Sequence, residues 1–216
     1  MKENKISTKT IVGIAVFSAL AFAMSLATSW IKVQGFLSLD IKDAVITIGA
    51  FVYGPISVFP MSLITVILES VTVGSTGPIG AFMDLASTCA FVLPVSIIYK
   101  YRRSIGGAIV GFIVATVAYL SVMMPLNLWL TPKYKGVPYE VVKNMILPLL
   151  LPFNFGKALV NSAVAMLLYK PLAVAMRKAG LSKSGGSMKL GRGTLVITLV
   201  AVATLAAAVG ILLVIW

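Results

Sequence analysis

The charged residues of this chain divide it into long apolar stretches. A helix needs about 20 mostly apolar residues to cross the roughly 30 Å of a bilayer's hydrocarbon core. Uncharged runs of at least that length lie between Lys9 and Lys32, between Arg103 and Lys133, and after Arg192. Each of these runs is predicted to be a transmembrane helix. The first is longer than the apolar core of an ordinary signal peptide, so we expect it to be retained.

Two further apolar stretches each hold one ionisable residue. The stretch 74–99 is interrupted only by Asp84, and the stretch 144–169 only by Lys157. A Lys at the centre of a transmembrane helix costs about 2.5 to 3.5 kcal/mol to insert, so it is expected to face a cavity, a partner or a ligand. Both stretches are predicted to be spans with a buried ionisable group.

The stretch 44–73 is long for one helix and short for two, and the pair Gly54-Pro55 interrupts it. The basic residues decide how often it crosses, because they concentrate on the cytoplasmic side of membrane proteins. If every basic cluster is cytoplasmic, this stretch must cross twice, with a break at Gly54. The chain then crosses seven times, from a cytoplasmic amino terminus to an extracellular carboxyl terminus. The clusters lie at residues 2–9, 100–103 and 170–192.

The predicted fold is an all-α integral membrane protein, a six-helix bundle with one additional C-terminal transmembrane helix. The basic, Gly- and Ser-rich segment 180–192 is typical of a flexible linker. It separates a six-span domain, 1–179, from the last helix, 193–216. That helix is expected to pack loosely against the body or to contact a neighbouring subunit.

Two long connections are predicted on the outer side, at 32–43 and 131–143. Pro132 and Pro138 predict a structured turn in the second connection rather than another helix. The acidic residues agree with this topology, because only Glu3 falls in a cytoplasmic segment.

Composition supports the membrane prediction and excludes several kinds of chemistry. The chain has 216 residues, of which 59% are hydrophobic and 11% charged. A typical soluble domain is about 45 to 50% apolar and about 25% charged. With no His and a single Cys, the chain excludes His-based metal sites, a Ser-His-Asp triad and an internal disulfide. Its net charge of +12 is explained by cytoplasmic basic clusters rather than by binding to nucleic acid.

One narrow polar face stands out near the end of the chain. On a helix, Asn154, Lys157 and Asn161 fall within about 60° of one another. Asp84 is the natural ion-pair partner for Lys157, and Glu69 is a second possibility. Either acid is also suited to relay protons, whereas snorkelling to the interface is the alternative for Lys157.

A second feature is a stripe of small side chains on the first helix. Ala15, Ala19, Ala23 and Ala27 recur every four residues. Small stripes allow helices to approach closely in lipid. The pattern leaves two interpretations open, packing within this protein and docking to a partner membrane subunit.

Four strings in the chain resemble a known family. They match the riboflavin-specific substrate-binding (S) components of energy-coupling factor (ECF) transporters in order and spacing over about residues 8–178. The last two strings together are fairly specific, because hydrophobicity alone would not produce them. The strings are FLSLDIKD (36–43), FVYGP (51–55), NLWLTP (127–132) and PFNFGK (152–157).

The resemblance implies a six-helix subunit of the cell membrane that captures riboflavin from outside. It would work with a transmembrane coupling subunit, EcfT, and two cytoplasmic ATPases. The chain itself lacks the Gly-rich phosphate loop of ATPases, which is consistent with such partners. By this resemblance the alanines of the first helix, Ala15, Ala19 and Ala23, would meet the coupling subunit. Riboflavin would be cargo, with no resident cofactor or metal, and acceptance of FMN stays open.

The resemblance also implies which residues bind the flavin. Three polar residues would reach the polar edge of its ring, the loop between the first two helices would cap the pocket, and aromatic residues would cover the ring faces. An amide is expected at position 84, where this chain has Asp84. The implied residues are Asn127, Asn154 and Lys157 at the ring edge, Asp84 in the lining, Leu39 and Asp40 in the capping loop, and Phe153, with Phe155 and Trp129, at the ring faces.

Other functions stay open from the sequence alone. An S component for thiamine or pantothenate would share the helical body and the alanine stripe. A proton-coupled secondary transporter would use Glu69, Asp84 and Lys157 as its relay. An intramembrane enzyme is disfavoured, because no nucleophile has an adjacent base.

Overall fold

The computed structural model describes residues 7–74, 77–181 and 192–215, and this part of the chain is mostly helical, as predicted. The helices are α1 (Thr8–Thr28), α2 (Lys42–Tyr53), α3 (Val58–Thr72), α4 (Gly77–Tyr101), α5 (Ile105–Lys135), α6 (Tyr139–Met145), α7 (Leu151–Lys178) and α8 (Arg192–Ile215). A 3₁₀ turn, Pro55–Ser57, precedes α3, and a π-helical turn, Ile146–Leu150, joins α6 to α7. Between α1 and α2 lies a hairpin of two short strands, β1 (Lys32–Val33) and β2 (Leu37–Ser38).

Within the described residues, six helical segments are long and apolar enough to cross a membrane. The sequence predicted seven crossings, and the difference is α2. With 12 residues this helix is about 18 Å long, well short of the roughly 30 Å of hydrocarbon. The stretch 44–54 is thus shorter than a full span, although α2 keeps its place as the second helix of the predicted bundle.

The chain nevertheless reverses at Gly54, as the charge argument predicted. Gly54 has φ 92°, in the region that favours glycine, and it ends α2. Tyr53, just before it, packs edge-on against Phe17 of α1, with ring centroids 6.1 Å apart. At the other end of α2, Lys42 reaches Glu69 near the end of α3. Helix α2 therefore runs antiparallel to α1 and to α3.

Helix α2 is the centre of the bundle. All nine residues from Lys42 to Ala50 are buried, and the helix packs against α1, α3, α4 and α7. Gly49 permits the close approach, because a Cβ there would lie 2.7 Å from the sulfur of Met61 and 2.9 Å from the ring of Phe17. Because this helix is short and surrounded by longer ones, a space is left above its first residue, and the candidate functional site lies there.

The predicted turn at 131–143 was mostly wrong. Helix α5 continues through Pro132 to Lys135, and only 136–138 separate it from α6. Proline inside a membrane helix is tolerated where neighbouring groups satisfy the freed backbone. The helix ends instead at Gly136, which has φ 65° and donates its N–H to the carbonyl of Pro132.

The predicted linker 180–192 lies mostly outside the described residues, so the predicted domain boundaries stay predictions. Helix α8, which follows it, packs along α7 rather than standing apart. Ala201 and Ala208 are fully buried in that contact. A Cβ placed on Gly156 of α7 would lie 3.0 Å from the side chain of Leu212. Of the two placements left open by the sequence, the structure has α8 against the body.

The contact between α4 and α5 generates a stability prediction. A Cβ on Gly111 would lie 3.0 Å from a methyl of Val95 and 3.3 Å from the backbone of that residue. The variant Gly111→Ile should lower the free energy of unfolding by about 1 to 3 kcal/mol, because the backbone of Val95 cannot move aside. Thermal unfolding of the detergent-solubilised protein measures this. A Cβ on Gly106 meets nothing within 4 Å, so Gly106→Ile is the control, and equal unfolding temperatures would contradict the prediction.

Candidate functional site

A cavity of about 730 Å³ lies above the first residue of α2. Its wall comes from α1, α3, α4, α5, α7 and the connection 29–41, which we call the cap loop. Small-molecule sites commonly measure about 300 to 1,000 Å³. The volume therefore suits a ligand of the size of a vitamin or nucleoside.

The floor of the cavity holds an ammonium group shared by two carboxylates. Lys42 Nζ lies 2.5 Å from Glu69 Oε2 and also contacts Asp84 Oδ2. The lysine side chain is 2% exposed. Charges removed from water need paired partners, and this arrangement supplies them from three helices, α2, α3 and α4.

A second ion pair connects α7 to the cap loop. Lys157 Nζ donates to Asp40 Oδ2 at 2.7 Å, and both side chains are about nine-tenths buried. Asn161, one turn further along α7, donates to the backbone carbonyl of Asp40 at 2.9 Å and accepts from the N–H of Ala44 at 2.9 Å. The polar face predicted from the sequence thus exists, and it fixes the end of the cap loop and the start of α2.

Two buried amides line the wall formed by α5 and α7. Asn127 donates to the carbonyl of Met123 and accepts from Thr131. Asn154 donates to the carbonyl of Leu150 and accepts from the Tyr119 hydroxyl at 2.7 Å. An amide has two N–H donors and two acceptor lone pairs. Each therefore keeps a donor and an acceptor position for a ligand.

Two carboxylate oxygens at the cavity have no hydrogen-bond partner among the described residues. They are Asp40 Oδ1 and Glu69 Oε1, on side chains that are each 10% exposed. Leaving a buried acceptor unsatisfied costs about 1 to 3 kcal/mol. Neither atom has accessible surface, so a ligand in the cavity would reach them only after a side-chain rotation.

Comparison with protein families identifies the architecture. The family model described as "ECF transporter, substrate-specific component" matches residues 9–169, about three quarters of the chain. The chain belongs to this family. Members of this family are components of membrane transporters, which agrees with the apolar helices. The resemblance to S components seen in the sequence is confirmed.

Individual relatives agree with the family match. "Riboflavin transporter RibU" of Staphylococcus aureus (strain TCH60) is 29% identical over 180 residues, covering 80% of this chain and 94% of the relative. "Riboflavin transporter FmnP" of Bacillus subtilis (strain 168) is 25% identical over 171 residues, covering 74% and 90%. A solved S component of a bacterial ECF transporter is 29% identical with a TM-score of 0.66, covering 78% of this chain and 98% of that one.

Most of the residues singled out from the sequence lie together in this S component. The cavity is lined by six of the seven predicted binding residues, whereas Leu39 packs instead in an apolar cluster beside α7. Its neighbour Leu37 lines the cavity in its place. Ligand binding by these residues stays a prediction. The six are Asp40, Asp84, Asn127, Phe153, Asn154 and Lys157.

The expected ion pair between Lys157 and Asp84 was wrong. Asp84 pairs with Lys42, and Lys157 pairs with Asp40. The sequence argument assigned Lys42 to an outer loop, so it missed the most buried charge of the site. It also missed Tyr119, whose ordinary apolar surroundings gave no signal. The useful signal for Lys42 was its position two residues before the apolar run that begins at Ala44.

Two of the three aromatic residues expected at the ring faces point elsewhere. Trp129 is 62% exposed and lies under the ammonium of Lys133, 4.4 Å from its ring centroid. Phe155 is 37% exposed and is not among the residues that line the cavity. Among the predicted aromatics Phe153 lines the cavity, and Tyr119 and Phe36 join it there.

The alanine stripe of α1 faces away from the bundle. Ala15, Ala19, Ala23 and Ala27 are all exposed, whereas Phe17 and Ala21 face inward. Packing within this chain, one of the two interpretations left open by the sequence, therefore does not use the stripe. Contact with a partner subunit stays a prediction.

The charge cluster generates the second prediction. The variant Lys42→Met leaves the buried carboxylate of Glu69 and the partly buried carboxylate of Asp84 without their cation, so the free energy of unfolding should fall by about 3 to 5 kcal/mol. Thermal or denaturant unfolding in detergent measures this. Adding Glu69→Gln and Asp84→Asn to the same variant should restore part of the loss, because the stranded charges disappear.

Lys143 provides the matched control for this variant. It pairs with Glu140 at 3.4 Å, but the two side chains are 57% and 67% exposed. Exposed pairs contribute about 0 to 1 kcal/mol. If Lys42→Met and Lys143→Met proved equally stable, the cluster would not have the structural role described.

Proposed function

We propose that this S component binds riboflavin and passes it to an ECF energy-coupling module for import. The observation that carries the proposal is the division of the cavity into two chemical halves. One wall has amide and ammonium donors, and another part of the lining has the carboxylates of Asp40, Glu69 and Asp84. Riboflavin has the same division, with a ring edge of donors and acceptors and a chain of hydroxyl groups. Two relatives named as riboflavin transporters support the proposal.

The ring edge suits the wall of α5 and α7. The pyrimidine edge of the flavin alternates carbonyl acceptors with one N–H donor. Asn127 and Asn154 each offer a donor and an acceptor, and Lys157 keeps two N–H groups beyond the one given to Asp40. Phe153 lies beside these groups on α7 and supplies apolar surface for the ring.

The ribityl hydroxyls suit the floor. Hydroxyl groups donate well to carboxylates, and hydrogen bonds to a charged acceptor are worth about 1.5 to 3 kcal/mol. Glu69 on the floor and Asp40 at the end of the cap loop both line the cavity. Asp84, where the resemblance implied an amide, adds a third acidic side chain to the same side of the cavity.

The pairing of the lysines in the cavity also indicates which flavin binds. FMN carries a phosphate at the end of its ribityl chain, and the two buried lysines of the cavity are already paired with carboxylates. Lys32 lines the cavity as well but is exposed. We therefore expect riboflavin to bind more tightly than FMN.

The assembly we propose consists of this chain, the transmembrane subunit EcfT and two cytoplasmic ATPases in the cell membrane. The exposed stripe Ala15, Ala19 and Ala23 is the proposed contact with EcfT, because small side chains permit close helix approach in lipid. We place the cap loop outside the cell, so that the cavity fills from there.

The first functional prediction concerns binding. Riboflavin should quench the tryptophan fluorescence of flavin-stripped protein saturably, with a weaker response to FMN and none to thiamine. Lys157→Met should weaken riboflavin binding by about 10-fold or more, because a hydrogen bond from a charged donor is lost. Isothermal titration calorimetry checks the affinities.

Two further variants keep this test interpretable. Adding Asp40→Asn to Lys157→Met removes the stranded carboxylate, so a folded protein that still binds weakly isolates the role of the ammonium. Lys143→Met lies outside the cavity and should bind as tightly as the unmodified protein. Unchanged affinity in Lys157→Met would remove this residue from the site, and no response to riboflavin would overturn the proposed substrate.

The second functional prediction concerns coupling. Ala19→Trp should leave riboflavin binding intact but abolish uptake in cells that contain the coupling module, because the bulky ring holds the two helices apart. Leu20→Trp, on the same helix at a lipid-exposed position, is the matched control and should transport normally. Normal uptake by Ala19→Trp would exclude the stripe as the coupling surface.

A further inference from the structure

Helix α8 lies beyond the region that the family explains. The family model ends at residue 169, and the solved S component covers 98% of its own length while matching 78% of this chain. The helix nevertheless contacts two parts of the proposed binding site. These contacts suggest a purpose for α8 beyond anchoring in the membrane.

The first contact is an apolar cluster beside the cavity. Leu212 and Ala208 of α8 pack in it with Phe153 of α7 and Val33 of the cap loop. These four residues are at most 7% exposed. Leu37 also packs in the cluster while lining the cavity. The cluster thus joins α8 to the cap loop and to a wall of the cavity.

The second contact is a hydrogen bond at the end of α8. Gln34 Nε2 in the cap loop donates to the carbonyl of Ile215 at 3.1 Å. The last carbonyls of a helix have no partner within the helix, so an outside donor stabilises them. The bond joins residues that are 181 positions apart in the chain.

The cap loop needs such support. Its strands have two residues each, and Gln34 and Gly35 at the turn both have positive φ, 50° and 74°. An isolated two-stranded hairpin is marginally stable at best. On the α7 side, Asp40 is held by Lys157 and Asn161. The hairpin tip, at Gln34, is instead held by α8.

We propose that α8 is a brace that keeps the cap loop closed over the cavity and so slows the escape of the bound substrate. Leu212 and the carbonyl end of α8 position the loop from outside the binding site, without touching the ligand. The substrate part of this inference rests on the proposed function. The closure of the loop does not, so the two are tested separately.

The first test measures how fast riboflavin leaves. In the full-length protein, Leu212→Ala should increase the dissociation rate about 10-fold in stopped-flow fluorescence, and Gln34→Ala should increase it about threefold. Leu213 is the matched control, because it is adjacent but 69% exposed, and Leu213→Ala should leave the rate unchanged. If riboflavin dissociated from Leu212→Ala and from Gln34→Ala as slowly as from Leu213→Ala, the proposed brace would be overturned.

The second test needs no ligand. With Cys89→Ala as background, Val33→Cys places a thiol at a position that is 1% exposed when the loop is closed. Maleimide labelling should be slow with Leu212 intact, several-fold faster with Leu212→Ala, and unchanged with Leu213→Ala. Equal labelling in all three would overturn the inference, whether or not riboflavin binds.

The two tests separate the possible failures. If the unmodified protein does not bind riboflavin, the proposed substrate fails, and the labelling alone decides whether α8 braces the loop. If Leu212→Ala is not recovered folded, Gln34→Ala decides, because its exposed surface position tolerates the change. Faster labelling in that variant supports the brace, and unchanged labelling overturns it.

Discussion

The position of one buried ammonium determines much of this structure. The side chain of Lys42 is 2% exposed at the floor of the cavity, and it is accommodated because Glu69 and Asp84 reach it from two other helices. Three chain segments must arrive together for the charge to be compensated. The geometry of α2, α3 and α4 around the cavity floor is therefore specified more strictly than apolar packing would require.

The same charges prepare the site for a ligand. Lys157, Asn161 and Asp40 fix the end of the cap loop, and Tyr119 orients the amide of Asn154. The polar groups hold their positions before any ligand arrives, which lowers the entropy cost of binding. Asn127, Asn154 and Lys157 line the cavity and keep N–H groups beyond those that they donate within the protein.

The sequence predicted the features that depend on local spacing. Lengths of apolar stretches predicted most of the spans, and Asn154 and Lys157 were recognised because they share a helix face that is costly to insert in lipid. The pairing of charges was beyond its reach, because Lys42 lies 27 and 42 positions from its partners and Lys157 lies 117 from its own. The sequence also could not predict which way the alanine stripe faces, because lipid and the protein interior are both apolar. The crossing at α2 was predicted from charge parity, which does not indicate how long the helix is.

The unequal lengths of the helices have a consequence for the surrounding membrane. The segment Pro55–Thr72 has 18 residues and extends about 27 Å, whereas Ile105–Lys135 has 31 and extends about 46 Å. A bilayer adjusts its thickness locally at a modest cost, and a long helix tilts or projects into the headgroups. The lipid annulus is therefore uneven around this protein, thinner beside α3 than beside α5. Membranes of different thickness therefore change the tilt of the whole bundle. Lipid composition thus affects how this protein is oriented, even though its cavity is lined by protein side chains.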